Sequence, residues 1–392
     1  MPGLDNVTSI SSVRPKVLEF FAGVGLARIG LESAGYRVAW ANDYEPDKHA
    51  MYAAHFQDQQ KGNDHTYVVG DVFGVDRSMI PDDAALAWGS SPCTDLSLAG
   101  SRGGIRAGES NAFWGFIDVL AGLADGSRPP VVVLENVVGL ATSHGGDDLA
   151  AAIRAFNDLG YSVDVLALDA RRFIPQSRPR LFIVGAMNPP SDTDVPNRDL
   201  RPDYLSWVFA DGTLRTHRAA LPVPPAAMST GLNSFVESMP ADDPRWWNSE
   251  RSNAFLSSLS AIQAGRLTAL RLQESATYRT AYRRTRKGVA TWEIRPDDIA
   301  GCLRTARGGS SKQAVVRAGS DGVQIRWMTP LEYARLMGAG DYNLAGARTN
   351  QALFAFGDAV AVPAVKWLGD NYLMPLTKGI WSAKTQGARD VR

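Results

Sequence analysis

The chain has 392 residues, 45% hydrophobic and 21% charged, and its 41 basic side chains balance 41 acidic ones. That composition supports a sizeable folded core and excludes a disordered chain, and the length suits one large domain plus a smaller one. No stretch approaches the roughly 20 apolar residues of a membrane helix. Residues 1–14 lack an apolar signal core, and Cys93 and Cys302 make no disulfide framework, so a reducing, cytoplasmic setting is expected.

The first half alternates strand and helix signals. Residues 16–21 (KVLEFF) form a short apolar run ending in a Gly turn, and 25–34 then carry helical spacing. Residues 37–41 read as a second strand, 45–56 as a helix, 67–69 as a third strand and 84–88 as a fourth. A helix follows at 111–123, and 130–134 (PVVVL) is continuous in β-branched residues, as in a strand buried on both faces. A helix at 147–159 and strands at 162–168 and 180–185 complete the series. Such alternation predicts an open, mostly parallel α/β sheet whose ligands sit at the carboxyl ends of the strands.

The pattern breaks at Asn188-Pro189-Pro190, where a stretch rich in Pro, Asp and Ser begins; a second domain is expected over 189–344. Residues 352–367 regain apolar helical spacing and are expected to return to the first domain, with a loose tail from Lys378 to Arg392. Charge is uneven: between Arg266 and Arg317 twelve Lys and Arg stand against four acids. A run of this kind is either a solvated face or a nucleic-acid footprint.

The turn Phe21-Ala22-Gly23-Val24-Gly25 lets backbone approach a ligand closely at a helix N-terminus. The next strand ends in Asn42-Asp43-Tyr44, where Asp43 can accept from ribose hydroxyls. Tyr44 lies against an adenine ring or is a plain surface aromatic. Asp71, after the third strand, accepts from an adenine amino group or caps a turn. Gly23, Gly25 and Gly30 do not give Gly-x-Gly-x-x-Gly, which disfavours a nicotinamide or flavin enzyme. At the same sheet edge fall Ser91-Pro92-Cys93, Glu135-Asn136-Val137 and Gln176-Ser177-Arg178-Pro179-Arg180. A lone Cys is either a buried small hydrophobe or a nucleophile, whereas an acid ending a buried strand needs a partner.

The combination resembles the DNA cytosine-5 methyltransferase family of the bacterial restriction-modification type. The resemblance covers residues 16–187 and 323–370 and includes FAGVG at 21–25, NDY at 42–44, GDV at 70–72, SPC at 91–93, ENV at 135–137, QSRPR at 176–180, RWMTPLEYARLMG at 326–338 and GDAVAVP at 357–363. It implies a Rossmann-like, S-adenosylmethionine-dependent methyltransferase domain over 1–188 and 345–392. A smaller target-recognition domain would occupy 189–344. The cofactor, leaving as S-adenosylhomocysteine, would be held by Phe21, Ala22, Gly23, Gly25, Asp43, Tyr44, Asp71, Val72, Pro92, Asp358 and Ala359. No metal is expected.

The resemblance also assigns chemistry. Cytosine C5 is a poor nucleophile, and addition of the Cys93 thiolate to C6 creates an enamine with density at C5. Glu135 would hold N3 and the exocyclic amino group, Arg180 would lie near O2, and Arg178 would lie beside the thiol loop. A paired cytosine cannot reach such a pocket, so the base must flip out of the duplex. The glycine-rich segment 98–110 reads as a closing lid or a plain flexible loop, with Ser97, Arg102 and Arg106 as DNA contacts. Gln176, Arg283, Arg284, Arg304, Arg307 and Lys312 are further expected contacts to double-stranded DNA. Cys302 is expected to be structural.

Two departures stand out: Gly357-Asp358 where the family usually has Gly-Asn, and Cys93-Thr94-Asp95-Leu96 where Gln and an aromatic are frequent. A tRNA methyltransferase of the same fold would carry a Cys-Phe-Thr tripeptide, absent here. A catalytically silent DNA-binding homologue would not need Cys93, Glu135, Arg178 and Arg180 together. The expected partner is DNA, with no membrane, a monomeric chain, and a cognate restriction or defence nuclease in a bacterium or phage-infected cell.

Overall fold

The computed structural model describes residues 14–92, 103–193, 195–286, 288–304 and 312–379. Cys93, Ser97, Arg102, Arg307, residues 98–102 of the expected lid and nearly all of the expected loose tail lie outside these described residues.

Seven strands form the main sheet: β1 (Lys16–Phe20), β2 (Arg37–Asp43), β3 (Thr66–Val69), β4 (Ala84–Gly89), β5 (Val131–Val137), β6 (Ser162–Asp169) and β7 (Pro179–Ala186), in the order β3-β2-β1-β4-β5-β7-β6. The first five pair in parallel, and β7 runs antiparallel to both β5 and β6. Successive side chains alternate between faces. Val131 and Val133 of β5 enter one core, Val132 and Leu134 the other. Helices α1 (Leu26–Ser33), α2 (Pro46–Phe56) and α3 (Asp58–Lys61) follow β1 and β2; α4 (Ala112–Ala121) and α5 (Asp147–Asp158) pack their apolar faces on the second core.

The chain end returns to this sheet as expected. Helices α10 (Thr349–Asp358), α11 (Val362–Leu368) and α12 (Met374–Thr377) join the first core with α1. Gly30 of α1 is required there, because a Cβ would sit 2.6 Å from Val365. By length and composition the helical run Thr349–Thr377 could cross a membrane, contrary to the sequence reading, but 67% of its most apolar window is buried inside the fold.

The expected boundaries at 188/189 and 344/345 differ from the packing. Leu200, Leu205, Val208, Leu214, Ala219 and Leu232 all enter the two cores of the main sheet, and Val163 bridges Thr216 in parallel. Helix α6 (Ser206–Ala210) lies in this stretch, and α9 (Pro330–Leu336) also packs into the first core. A separate core belongs to the second sheet, β11-β10-β8-β9, built from β8 (Thr277–Arg286), β9 (Val289–Ile294), β10 (Gln313–Gly319) and β11 (Gly322–Trp327) with α7 (Ser249–Ser257) and α8 (Ala261–Arg271). Pro-rich composition marks chain irregularity, not independence of a core, and residues 200–232 carry the main-sheet packing past that irregular stretch.

β11 is tied to α9 by a wholly buried ion pair. Arg326 and Glu332 are each 0% exposed; Arg326 Nη1 donates to Glu332 Oε2 at 2.8 Å and Nη2 to Oε1. Glu332 also accepts from the backbone N–H of Glu237 and Thr329. Removing one partner leaves the other charge uncompensated, so Glu332→Ala is expected to cost about 3–5 kcal/mol in urea unfolding. A loss below about 1 kcal/mol would contradict this account.

Candidate active site

The carboxyl end of β1 turns through Phe21 and Gly23, both in the left-handed region at φ 56° and 54°. A bulky residue there is strained and persists only where its surroundings hold it. Ala22 N–H donates to the Asn42 carbonyl at 2.9 Å, Gly23 N–H to Asp43 Oδ2 at 2.8 Å, and Tyr67 hydroxyl to the Gly23 carbonyl at 3.1 Å. Asp43, only 4% exposed, also accepts from Glu45 N–H at 2.9 Å. Two backbone donors leave lone pairs on this carboxylate for a ribose diol. Gly25 serves packing, since a Cβ would lie 2.5 Å from Phe56.

Tyr44 is 49% exposed after β2, and Phe73, which the sequence reading did not single out, is 51% exposed after β3. Two open aromatic faces at neighbouring strand ends suit an adenine ring. Asp71 accepts from Phe73 N–H at 3.1 Å, so it does cap the turn. Val72 is buried beneath, against Gly115.

Asp358 has a partner that sequence reasoning missed. Lys48 Nζ lies 3.3 Å from Asp358 Oδ2 and 3.4 Å from Glu45 Oε1. Burial works against this ammonium, but the carboxylates of Asp358, Asp43 and Glu45 hold its pKa above the ordinary lysine value. The charge that replaces the family's Asn is therefore matched locally. The exposed aromatics, the open Gly23 turn (nearest contacts to a Cβ 3.8 and 4.0 Å) and the free lone pairs of Asp43 fit an adenosyl group.

At the neighbouring edge, β4 leads into Ser90, Ser91 and Pro92. Trp88 Nε1 donates to Ser90 Oγ at 2.8 Å and Asn136 Nδ2 to Ser91 Oγ at 3.1 Å, which pins the stem of the Cys93 loop to β5. Pro92 is half-buried. Glu135, 6% exposed at the end of β5, sits 3.0 Å from Arg180 Nε of the antiparallel β7. Burial pushes the Glu135 carboxyl above its usual range, and Arg180 and Arg178 only partly offset that push.

Arg178 is 1% exposed and donates to the carbonyls of Leu303 (2.8 Å), Gly357 (3.2 Å) and Ala359. It forms a buried cross-link between β7, the segment before β10 and the end of α10; the thiol loop beside which it is expected lies outside the described residues. The Ala359 carbonyl is used by this arginine. The expectation that Gln176 contacts DNA is corrected: it is 0% exposed, its amide donates to Leu336 O, and its Oε1 accepts from Leu303 N–H at 3.1 Å. A side chain with both ends satisfied inside the protein has nothing left for a base.

Among the described residues, the other expected DNA contacts are exposed or half-buried. Arg106 is exposed and stacks 4.2 Å over Trp114. Arg283 and Arg284 are exposed on β8, with Arg284 over Tyr282 and 3.4 Å from Glu293. Arg304 is exposed, and Lys312 donates to Asn350 at 2.6 Å.

A doubly flanked, mostly parallel sheet with an adenosyl-shaped edge and a buried Glu–Arg pair at the next strand end defines an S-adenosylmethionine-dependent methyltransferase. The C-5 cytosine-specific DNA methylase profile matches residues 15–373, and the chain belongs to that family. It is 25% identical over 377 residues to the type II methyltransferase M.HpaII of Haemophilus parainfluenzae, covering 92% of this chain and 89% of the relative. It is 31% identical over 174 residues to the orphan methyltransferase M.SPRI of Bacillus phage SPR, covering 43% of this chain and only 37% of the phage protein's length. The S. pombe Dnmt2 methyltransferase shares the fold, with a TM-score of 0.59 and 16% identity over 94% of this chain and 99% of that one.

Proposed function

We propose that the protein methylates C5 of a flipped-out cytosine within a specific duplex DNA sequence, through a covalent bond between Cys93 and C6. The observation that carries this reading is the buried Glu135–Arg180 pair at 3.0 Å beside the anchored stem of the Cys93 loop. Bound S-adenosylmethionine supplies an electrophilic methyl group on a sulfonium; Asp43, the Gly23 turn, Tyr44, Phe73 and the Lys48–Asp358 pair would hold it. Cys93 loses its proton and adds to C6. Glu135 binds the exocyclic amino group and gives a proton to N3 as the ring gains electron density, which favours the adduct over free cytosine. Arg180 orients Glu135 and faces O2. Once C5 carries the methyl group, the C5 proton leaves, N3 returns its proton, and the C6–S bond breaks to release the thiolate.

The second-sheet region, about 237–327 by its packing, is proposed as the sequence-reading part, with the exposed arginines of β8 and Arg304 as phosphate or guanine contacts. A monomeric protein acting with or without a partner nuclease is consistent with this reading. Bisulfite sequencing of DNA from cells expressing the chain is the test: one short motif with a protected cytosine is expected, and uniform conversion at every cytosine would reject the proposal. Incorporation of methyl groups into tRNA but not duplex DNA would instead select the tRNA reading.

A further inference from the structure

Cys302 does not sit in a bland interior position. Its segment is stitched to the stretch before β7: Ser177 N–H donates to Ala300 O at 3.0 Å, and Ala300 N–H donates to Pro175 O at 2.7 Å. This register carries the sulfur to the catalytic edge. Arg178 Nη1 lies 3.4 Å from Cys302 Sγ and Arg180 Nη2 lies 4.0 Å from it, while Arg180 Nε holds Glu135 at 3.0 Å. A thiol is a weak acceptor, and two guanidinium groups converging on one is unusual for a cysteine that only fills space.

We propose that Cys302 is a positioning residue of the target-base pocket, sharing the Arg180 guanidinium with Glu135 so that the recognition segment sets the state of the catalytic carboxylate. The inference rests on the methyltransferase reading of Glu135.

The electrostatics agree in direction. Burial works to raise the thiol's pKa, but the charges of Arg178 and Arg180, with Arg304 on its own segment, bring it below the ordinary thiol value. Tyr333 of α9 lies within electrostatic reach of the thiol, and Glu135 stands behind Arg180. A thiolate accepts more strongly than a thiol. The more of Arg180 the sulfur takes, the less positive charge remains to depress Glu135, and the more readily Glu135 carries the proton destined for N3.

The chain has two cysteines, so in Cys93→Ser protein Cys302 is the sole thiol. Its reaction with iodoacetamide, in which the thiolate forms a C–S bond and iodide leaves, is followed against pH. The expected midpoint lies below that of a free thiol and rises by about one pH unit when Arg180→Gln is added. In single-turnover methylation with Cys93 intact, Cys302→Val is expected to slow the step about tenfold to a hundredfold. The limb on which activity falls with rising pH should move to lower pH, and Cys302→Ser should recover part of the rate. DNA affinity and melting temperature should stay within about twofold and two degrees of wild type.

A Cys302→Val rate and pH profile superposing on wild type would overturn the proposal. So would a thiol midpoint indifferent to Arg180, or a rate loss that only tracks lost DNA affinity and stability. The alkylation titration needs no turnover. Wild-type protein inert on DNA would therefore sink the functional reading, while the coupling of Cys302 to Arg180 would still be decided by the titration.

Discussion

Replacing Cys93 with alanine is expected to lower methyl transfer into duplex DNA by more than about 10,000-fold, with folding and DNA binding retained. The reason is electronic: without addition at C6 the ring offers almost no density at C5. A free thiol is only a few per cent ionised at neutral pH, so the pocket must also favour the thiolate or take its proton during attack. The stem that aims the loop, Ser91 held by Asn136, is built on β4 and β5 and does not depend on the sulfur. A second arm tests the covalent bond directly. Duplex DNA with 5-fluorocytosine at the target should trap the protein in a cofactor-dependent complex that survives denaturing gel electrophoresis, because fluorine cannot leave C5 as a cation. A Cys93→Ala protein with near-wild-type turnover, or wild type that forms no such complex, would reject the thiol mechanism.

Much of this was readable because the chemistry sits at strand ends. Buried strands such as 131–134 announce themselves as unbroken aliphatic runs rich in β-branched residues, and the polar residue that ends each one must face the ligand edge. Asp43, Tyr44 and Glu135 follow from that rule, whereas Arg180 opens β7 and reaches the same edge because that strand is antiparallel to β5. Strand direction does not: the same apolar period serves β7 whether it runs with or against β5. Contacts between distant segments were also invisible. Lys48 and Asp358 are 310 residues apart in the chain, and nothing in either local pattern says that their charges cancel. Gln176 escapes sequence reasoning for the related reason that a polar residue beside two arginines looks like a surface group, whereas here it spans two packed segments. The local sequence around Cys302 carries no nucleophile signature, and nothing in it announces that the pairing at Ala300 brings Arg178 and Arg180 to the sulfur.

Glu135→Gln is expected to reduce single-turnover methylation by about 100- to 10,000-fold while S-adenosylhomocysteine affinity stays unchanged. Glutamine keeps an acceptor for the exocyclic amino group but has no proton to give N3, so the loss should fall on the chemical step and not on binding. Removing the carboxylate also frees Arg180 Nε from its 3.0 Å partner, which turns a neutral pair into an unmatched cation beside the base. The pH dependence separates these two effects. In wild type, burial raises the Glu135 carboxyl, so its protonated fraction, and the part of the rate that depends on it, falls as pH rises through that raised value. Glutamine does not titrate, and that limb should vanish. If the loss came only from the stranded Arg180, Glu135→Gln/Arg180→Leu would be no slower than Arg180→Leu alone; the proton-donor role requires that it is slower still. A double variant within about threefold of Arg180→Leu alone would remove Glu135 from the chemistry and leave it a mere counter-ion.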